Sequence, residues 1–257
     1  MQQVISFFNI SAKRNFVLKK YLNRPFVKLC ETQWVEMLDS VLQFKSSLTE
    51  IMKALTKVSN WEDTVSASKA KTLILSLCNC EFIISIFSLS SVLYIIYHTS
   101  KTLQGKSNDI LSASNVVQDI VIVLEKNRFD CDIVFKNIYS ECKSIMDQLD
   151  VELKLPRLNI NQKNRPNPSN IDNCEDYYRI EIFIPLLDRI IEDLKRRFQG
   201  QDNQTLIQTL TYFIPKNLSI WSQNINSTNI VYAIKTSYPF LNEINDVPLK
   251  LEIDLWK

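Results

Sequence analysis

The apolar positions of this chain recur with the period of a helix through most of its length. Between Val35 and Val58 they fall at Leu38, Val41, Leu42, Leu48, Ile51, Met52, Leu55 and Val58. This three-and-four spacing gathers them on one face and predicts a single long helix. Asn60 to Ser68 is a polar break rich in helix-starting Ser, Thr and Asp, and a hydrophobic helix is predicted from there to about Thr102. Gly105-Lys106-Ser107-Asn108-Asp109 then reads as a stop and restart. Beyond it, Ile110, Val116, Val117, Ile120, Val121, Val123 and Leu124, followed by Ile133, Val134, Ile138, Ile145 and Leu149, predict one very long helix or two collinear ones. The apolar face is persistent without being a strict heptad, so a packed bundle is expected rather than a free coiled coil.

Shorter elements flank this bundle. Ser11 to Leu22 suits a basic helix with Phe16, Leu18 and Leu22 as its apolar edge, ended by Arg24-Pro25. Helical spacing returns from Asp176 to Phe198 through Ile180, Phe183, Ile184, Leu187, Ile190, Ile191 and Leu194, with Pro185 expected to bend or restart it. Between them, Pro156 to Cys174 holds Pro156, Pro166 and Pro168 among polar residues and has no apolar period, the pattern of a linker. The expected organisation is therefore residues 1–155 as a basic segment and long-helix bundle, 156–174 as linker, and 175–257 as a helical segment packing on the bundle. Within the last, Thr205 to Ile214 and Asn229 to Thr236 are the predicted short helices. The fold class expected is all-α.

Composition narrows the chemistry. The 257 residues are 46% hydrophobic and 23% charged, enough to bury a core. Only Gly105 and Gly200 are glycines, which excludes phosphate-cradling loops and dinucleotide folds, whose turns need glycine where backbone meets ligand. The six cysteines, at 30, 78, 80, 131, 142 and 174, include no Cys-x-x-Cys, and Cys78 and Cys80 are two apart, which on a helix points them to different faces. Small buried thiols in a reducing compartment are the expectation, with no metal and no cofactor. His98, the single histidine, has no nucleophile and acid arranged around it and reads as a helix-end or core residue. Phe82 to Tyr97 carries no charge, yet its sixteen residues fall short of the roughly 20 that a bilayer core requires. A core helix is expected there, and no membrane partner. Met1 to Ser11 lacks a secretory pattern, so an intracellular chain is expected.

Net charge is only +2, so affinity for nucleic acid would have to come from local clustering. The N-terminus supplies a cluster: Lys13, Arg14, Lys19, Lys20, Arg24 and Lys28 occur with no Asp or Glu before Glu31. The run leads into Cys30-Glu31-Thr32-Gln33-Trp34. Cations suit phosphates, and an aromatic face suits an extruded base. The candidate nucleic-acid-binding residues are thus Lys13, Arg14, Lys19, Lys20, Arg24, Lys28, Thr32 and Trp34. For Trp34, a core anchor at the start of a helix is the competing reading. Lys195-Arg196-Arg197 admits two readings as well, a nuclear import signal or cations placed at a helix C-terminus by the macrodipole.

Around the Thr-x-Trp motif lie Ser6-Phe7-Phe8-Asn9, Ser11-Ala12-Lys13-Arg14 and Trp34-Val35-Glu36, leading to Asp39-Ser40-Val41-Leu42-Gln43-Phe44. Further on come Lys69-Ala70-Lys71-Thr72-Leu73, Gln148-Leu149-Asp150-Val151-Glu152-Leu153, Asn164-Arg165-Pro166-Asn167-Pro168 and Tyr177-Tyr178-Arg179-Ile180. With these segments the chain resembles transposase-derived proteins of the hAT superfamily, in particular the zinc-finger-MYM-type-like and THAP-type repressor branches. The resemblance spans most of the chain up to about Phe198. It implies a helical insertion set inside an RNase H-like core, and a nuclear location. It also implies that the three metal-binding acids of that core fall outside the matched stretch, and no Ser-Glu-Arg motif occurs here. In the family the motif reads Cys-x-Thr-Arg-Trp, so Thr32 and Trp34 match. Gln33 stands where Arg is usual, and Met37-Leu38 where Arg-His is usual, which removes phosphate grips that neither replaces.

The paired acids Glu62-Asp63, Asp130 with Asp132, Asp147 with Asp150, and Glu175-Asp176 fall near predicted helix ends, where carboxylates serve as caps. Two-metal phosphoryl chemistry would need acids converging on ions about 4 Å apart. The chain is therefore expected not to be an enzyme and to act on no small-molecule substrate. It is expected to be a nucleic-acid-associated or protein-interaction module, with DNA as one partner class, and a protein or a second copy as the other.

Overall fold

The computed structural model describes residues 1–22, 34–103, 110–156, 173–198, 200 and 227–255. Among them every regular element is helical, which is the expected all-α class. The chain divides into two compact units, Met1–Ser100 with Lys126–Asp188, and Lys101–Glu125 with Arg189–Lys257. The expected linker falls largely on 157–172, and the predicted helix Thr205 to Ile214 on 201–226, both outside the described residues.

The first unit begins with α1 (Gln2–Asn9) and α2 (Ala12–Tyr21). Helix α1 buries Val4, Ile5, Phe7 and Phe8, a helical spacing on one face. Ser11 caps α2, its hydroxyl accepting from the Arg14 N–H at 3.4 Å. Of the expected apolar edge of α2, Leu18 and Leu22 are buried, whereas Phe16 is 61% exposed.

The helix predicted from Val35 to Val58 is two helices, α3 (Trp34–Ser46) and α4 (Leu48–Ser59). Ser47 leaves the helical region at φ −112, ψ 15. Its N–H is shared between the carbonyls of Gln43 and Phe44, while the Ser46 hydroxyl donates to Gln43 O at 3.0 Å. Serine side chains offer the backbone such alternatives to the helical ladder. The break costs no burial, because Phe44 on one side and Leu48, Ile51, Leu55 and Val58 on the other all remain inside.

The hydrophobic helix predicted up to Thr102 is likewise split, into α5 (Thr64–Leu77) and α6 (Cys80–Leu103). Asp63 caps α5, accepting from the N–H groups of Val65 and Ser66. A bond from the Ser66 side chain, and after it these backbone bonds, hold its carboxyl below the ordinary value. Asn79 starts α6 by accepting from the Glu81 N–H at 2.9 Å. Among the described residues, α6 is the one helix long and apolar enough to cross a membrane, and 56% of its window Cys80–Tyr97 is buried inside the fold. A core helix passes the same test.

Helices α7 (Ile110–Phe129) and α8 (Cys131–Gln148) follow, separated at Asp130. Of the two forms the sequence allowed, two helices is the one found. Helix α8 buries Phe135, Ile138, Tyr139, Cys142 and Met146. From Cys174 the chain is helical again, as α9 (Cys174–Tyr178), a π turn (Arg179–Phe183) and α10 (Ile184–Phe198). The expected disturbance at Pro185 takes a definite form. The Ile184 N–H reaches back five residues to Arg179 O, widening the turn just ahead of the residue that has no N–H to give. Phe183 in that turn meets Phe135 of α8 at 5.5 Å between ring centroids.

Polar bonds tie these elements. The Tyr97 hydroxyl donates to Asp39 at 2.6 Å, Lys45 pairs with Glu141 at 2.7 Å, and Arg128 with Asp188 at 2.7 Å. Tyr178 donates to the Lys154 carbonyl at 2.8 Å, and Cys80 Sγ lies 3.2 Å from that hydroxyl. Lys154 is therefore held against both α6 and α9.

In the second unit, α11 (Ser227–Ser237), a 3-10 turn (Pro239–Glu243) and α12 (Asp246–Leu255) enclose a small core of Ile230, Val231 and Ile253. Lys235 pairs with Asp246 across it.

Two outcomes follow from this packing. Leu55→Ala, at a fully buried position of α4, should lower stability by about 2–5 kcal/mol, read as a lower urea midpoint with an unchanged slope. The second is alkaline sensitivity. Burial pushes the Cys142 thiol up from 9.0 to about 12, and raises the phenols of Tyr139 and Tyr178. The unfolded chain loses these protons first, so the stability they lend is complete below pH 9 and falls as pH rises from there toward 12. The urea midpoint should drop between pH 8 and pH 10.5, and Cys142→Ala should shrink that drop.

Candidate nucleic-acid interface

Helix α2 carries four of the eight expected binding residues. Lys13, Lys19 and Lys20 are exposed and Arg14 is half-buried. Lys13 and Lys20 are two helical turns apart and share a side of the helix. The Lys13 ammonium sits 4.5 Å over the Trp61 ring and contributes to holding the Asp63 carboxyl low. Lys20 lies 4.6 Å over Phe16, the residue whose ring the core leaves outside. Arg14 is different: its guanidinium covers Phe7 at 4.3 Å, and its Nε is buried with no hydrogen-bond partner. Arg14 thus packs against α1 rather than standing clear beside the three lysines.

The remaining candidates are placed less fully. Arg24, Lys28 and Thr32 lie outside the described residues. Trp34 is the first residue of α3, and its side chain lies outside them too.

Several cations elsewhere on the surface are ion-paired. Arg179 pairs with Asp132 and Asp176, Arg189 and Arg196 with Asp193, and Lys195 with Glu125. Among the described residues, none of the four α2 cations makes such a pair with a carboxylate. Their helix contains no acid at all. Lys19 and Lys20 stand in its last turn, where the macrodipole favours cations.

Helix α2 packs on α4, and the solvent face of α4 continues the positive surface. Thr49, Lys53, Thr56 and Lys57 recur at helical spacing opposite the buried residues. With Tyr21, the last residue of α2, they line an open groove of about 640 Å³, floored by Met52 and bounded at the end of α8 by Asp150. Asp150 has a left-handed φ of 53. The apolar period of α4 does not point to Lys53 and Lys57. Their signal was the polar complement of the same period.

Among the described residues no three His, Cys, Asp or Glu side chains are grouped to hold an ion. Cys80, Cys131 and Cys142 are buried thiols, and of the acidic pairs, Asp63 caps a helix while Asp132 and Asp176 bind Arg179.

Curated proteins similar to this chain include two of the same name. The "52 kDa repressor of the inhibitor of the protein kinase" of Mus musculus is 22% identical over 224 residues, and the protein of that name from Homo sapiens 21% identical over 224 residues. In each case the match covers 80% of this chain and 29% of the relative, so the chain spans under a third of the length of the curated relatives it matches. No protein-family model matches the chain, and no solved structure matches it.

If the exposed lysines serve a ligand and Arg14 serves the fold, substitutions should divide them. Lys19→Ala and Lys20→Ala should leave stability within about 0.5 kcal/mol of the parent. Arg14→Ala should lose about 1 kcal/mol through lost packing over Phe7. Arg14→Met, which keeps the stem and removes the unpartnered buried nitrogen, should lie closer to the parent in thermal melts.

Proposed function

We propose that this chain is a non-catalytic, nucleic-acid-associated module of a transposase-derived, repressor-like protein of the hAT type, and that it works in the nucleus. The observation that carries the reading is the run of four cations on α2, a helix with no acid of its own and, among the described residues, no ion pair to a carboxylate, while Arg128, Arg179, Arg189 and Arg196 are each paired with one. Unpaired cations at a solvent face attract phosphates, release counterions and bind without reading sequence. The similarity to proteins described as repressors supports a regulatory rather than a chemical role. The use of Asp63, Asp132 and Asp176 as caps and ion-pair partners supports the absence of catalysis.

A second reading, a scaffold for a protein partner or another copy, is favoured by one feature of the second unit. Val247, Leu251 and Leu255 stand four residues apart on α12 and are 58%, 59% and 83% exposed, an apolar stripe of the kind that partner helices cover.

Fluorescence anisotropy with a labelled DNA duplex over a salt series tests the first reading. Binding should weaken steeply with salt, by about 0.9 in log–log slope per phosphate contacted. Changing Lys13, Lys19 and Lys20 together to Ala should flatten that slope by about 2 to 3, equally for all sequences. Absence of binding at low salt would leave the scaffold reading.

A further inference from the structure

We infer that the groove lined by α4, Tyr21 and the end of α8 is a binding track for single-stranded nucleic acid, with phosphates on Lys53 and Lys57 and a base against Tyr21. The inference rests on the nucleic-acid reading of α2 and extends it to a site of stated chemistry. Lys53 and Lys57 are separated by one turn, a rise of about 6 Å along α4, so they present two ammonium groups in a row to a ligand with repeating negative charge. Both are exposed, and among the described residues neither is paired with a carboxylate. The hydroxyls of Thr49 and Thr56 lie on the same face. Thr56 already donates to Met52 O at 2.9 Å, which leaves its oxygen lone pairs rather than its proton toward the groove.

Tyr21 gives the groove its preference. Tyr21 is 36% exposed at the end of α2 and lines the groove together with Lys53 and Lys57, so the lysines of α4 adjoin an aromatic face. A ring beside a cationic track is the arrangement by which proteins hold unpaired bases, whose faces are free to stack; in a duplex they are covered by neighbours. One carboxylate, Asp150, borders the far end, so the positive track runs along α4 and ends just beyond α8.

The test uses the full chain and a labelled twelve-nucleotide oligothymidine, followed by anisotropy at low salt and over a salt series. The double variant Lys53→Ala with Lys57→Ala should weaken binding about tenfold and reduce the salt slope by about 1.4, at about 0.7 per phosphate for a single strand. Tyr21→Ala should weaken the single strand about tenfold and a duplex of the same length hardly at all, while Tyr21→Phe should bind as the parent does. Thermal melts should coincide for the lysine variants, whose side chains support no packing. If Lys19→Ala with Lys20→Ala weakens binding but the α4 pair and Tyr21→Ala do not, the groove assignment is wrong and the broader reading stands. If the parent binds no nucleic acid at low salt, both fall. Displacement of the oligonucleotide by polyglutamate at equal charge concentration would also overturn the inference, since the groove would then answer to acidity alone.

Discussion

Helix α4 must satisfy three neighbours at once, and the first unit is arranged around that requirement. It packs with α2, α3 and α5, and it buries Leu48, Ile51, Met52, Ala54, Leu55 and Val58. Six buried side chains in twelve residues leave only one side for solvent. That side is where Thr49, Lys53, Thr56 and Lys57 stand, because a residue with a charge or an unpaired hydroxyl could go nowhere else on this helix without an unsatisfied group. The same burial that fixes the fold therefore fixes the line of lysines, and holds it beside α2.

Much of this was legible in the sequence, and the misses share a cause. The helical class and the existence of the long segments follow from apolar period alone, since Leu48 to Val58 or Phe135 to Met146 admit no strand reading. The breaks at Ser47 and Asn79 were hidden because neither is marked by Gly or Pro. Each depends on a hydrogen bond that a side chain or a shared carbonyl offers locally, as Asn79 does to Glu81, and the apolar rhythm continues across both. Proline gave a clear warning at 185 but not its outcome, since a widened π turn and a kink both answer the loss of one N–H. Exposure of Phe16 follows from helical spacing: two residues from Leu18, it falls on the other side of α2, three and four residues from Lys13 and Lys20, and the Lys20 ammonium lies over its ring.

The site was half legible. Charge runs are visible in sequence, but whether a cation is free depends on which acids the fold brings near it. Lys45 and Lys53 look alike in the chain, yet Lys45 meets Glu141, ninety-six residues away, while Lys53 faces an open groove. Arg14 and Lys13 are neighbours, yet one is committed to Phe7 and the other to the rim at Trp61. A motif read residue by residue cannot make these distinctions, because they are properties of the pairing that long-range packing creates.

Pairing also explains how a nearly neutral protein can carry a functional field. With a net charge of +2, no long-range attraction to a polyanion follows from the total. What matters is where the opposite charges have been used. Acids spent on Arg179, Arg196 and Lys195 are fixed far along the chain from the first twenty-two residues, and those residues contain none of their own. At physiological salt the field of a charge fades within about 8 Å, so what counts for the lysines of α2 and α4 is the carboxylates beside them, of which Asp63 is held low in part by Lys13. Segregation of charge, set by which helices pack together, gives this face a positive character that the composition as a whole conceals.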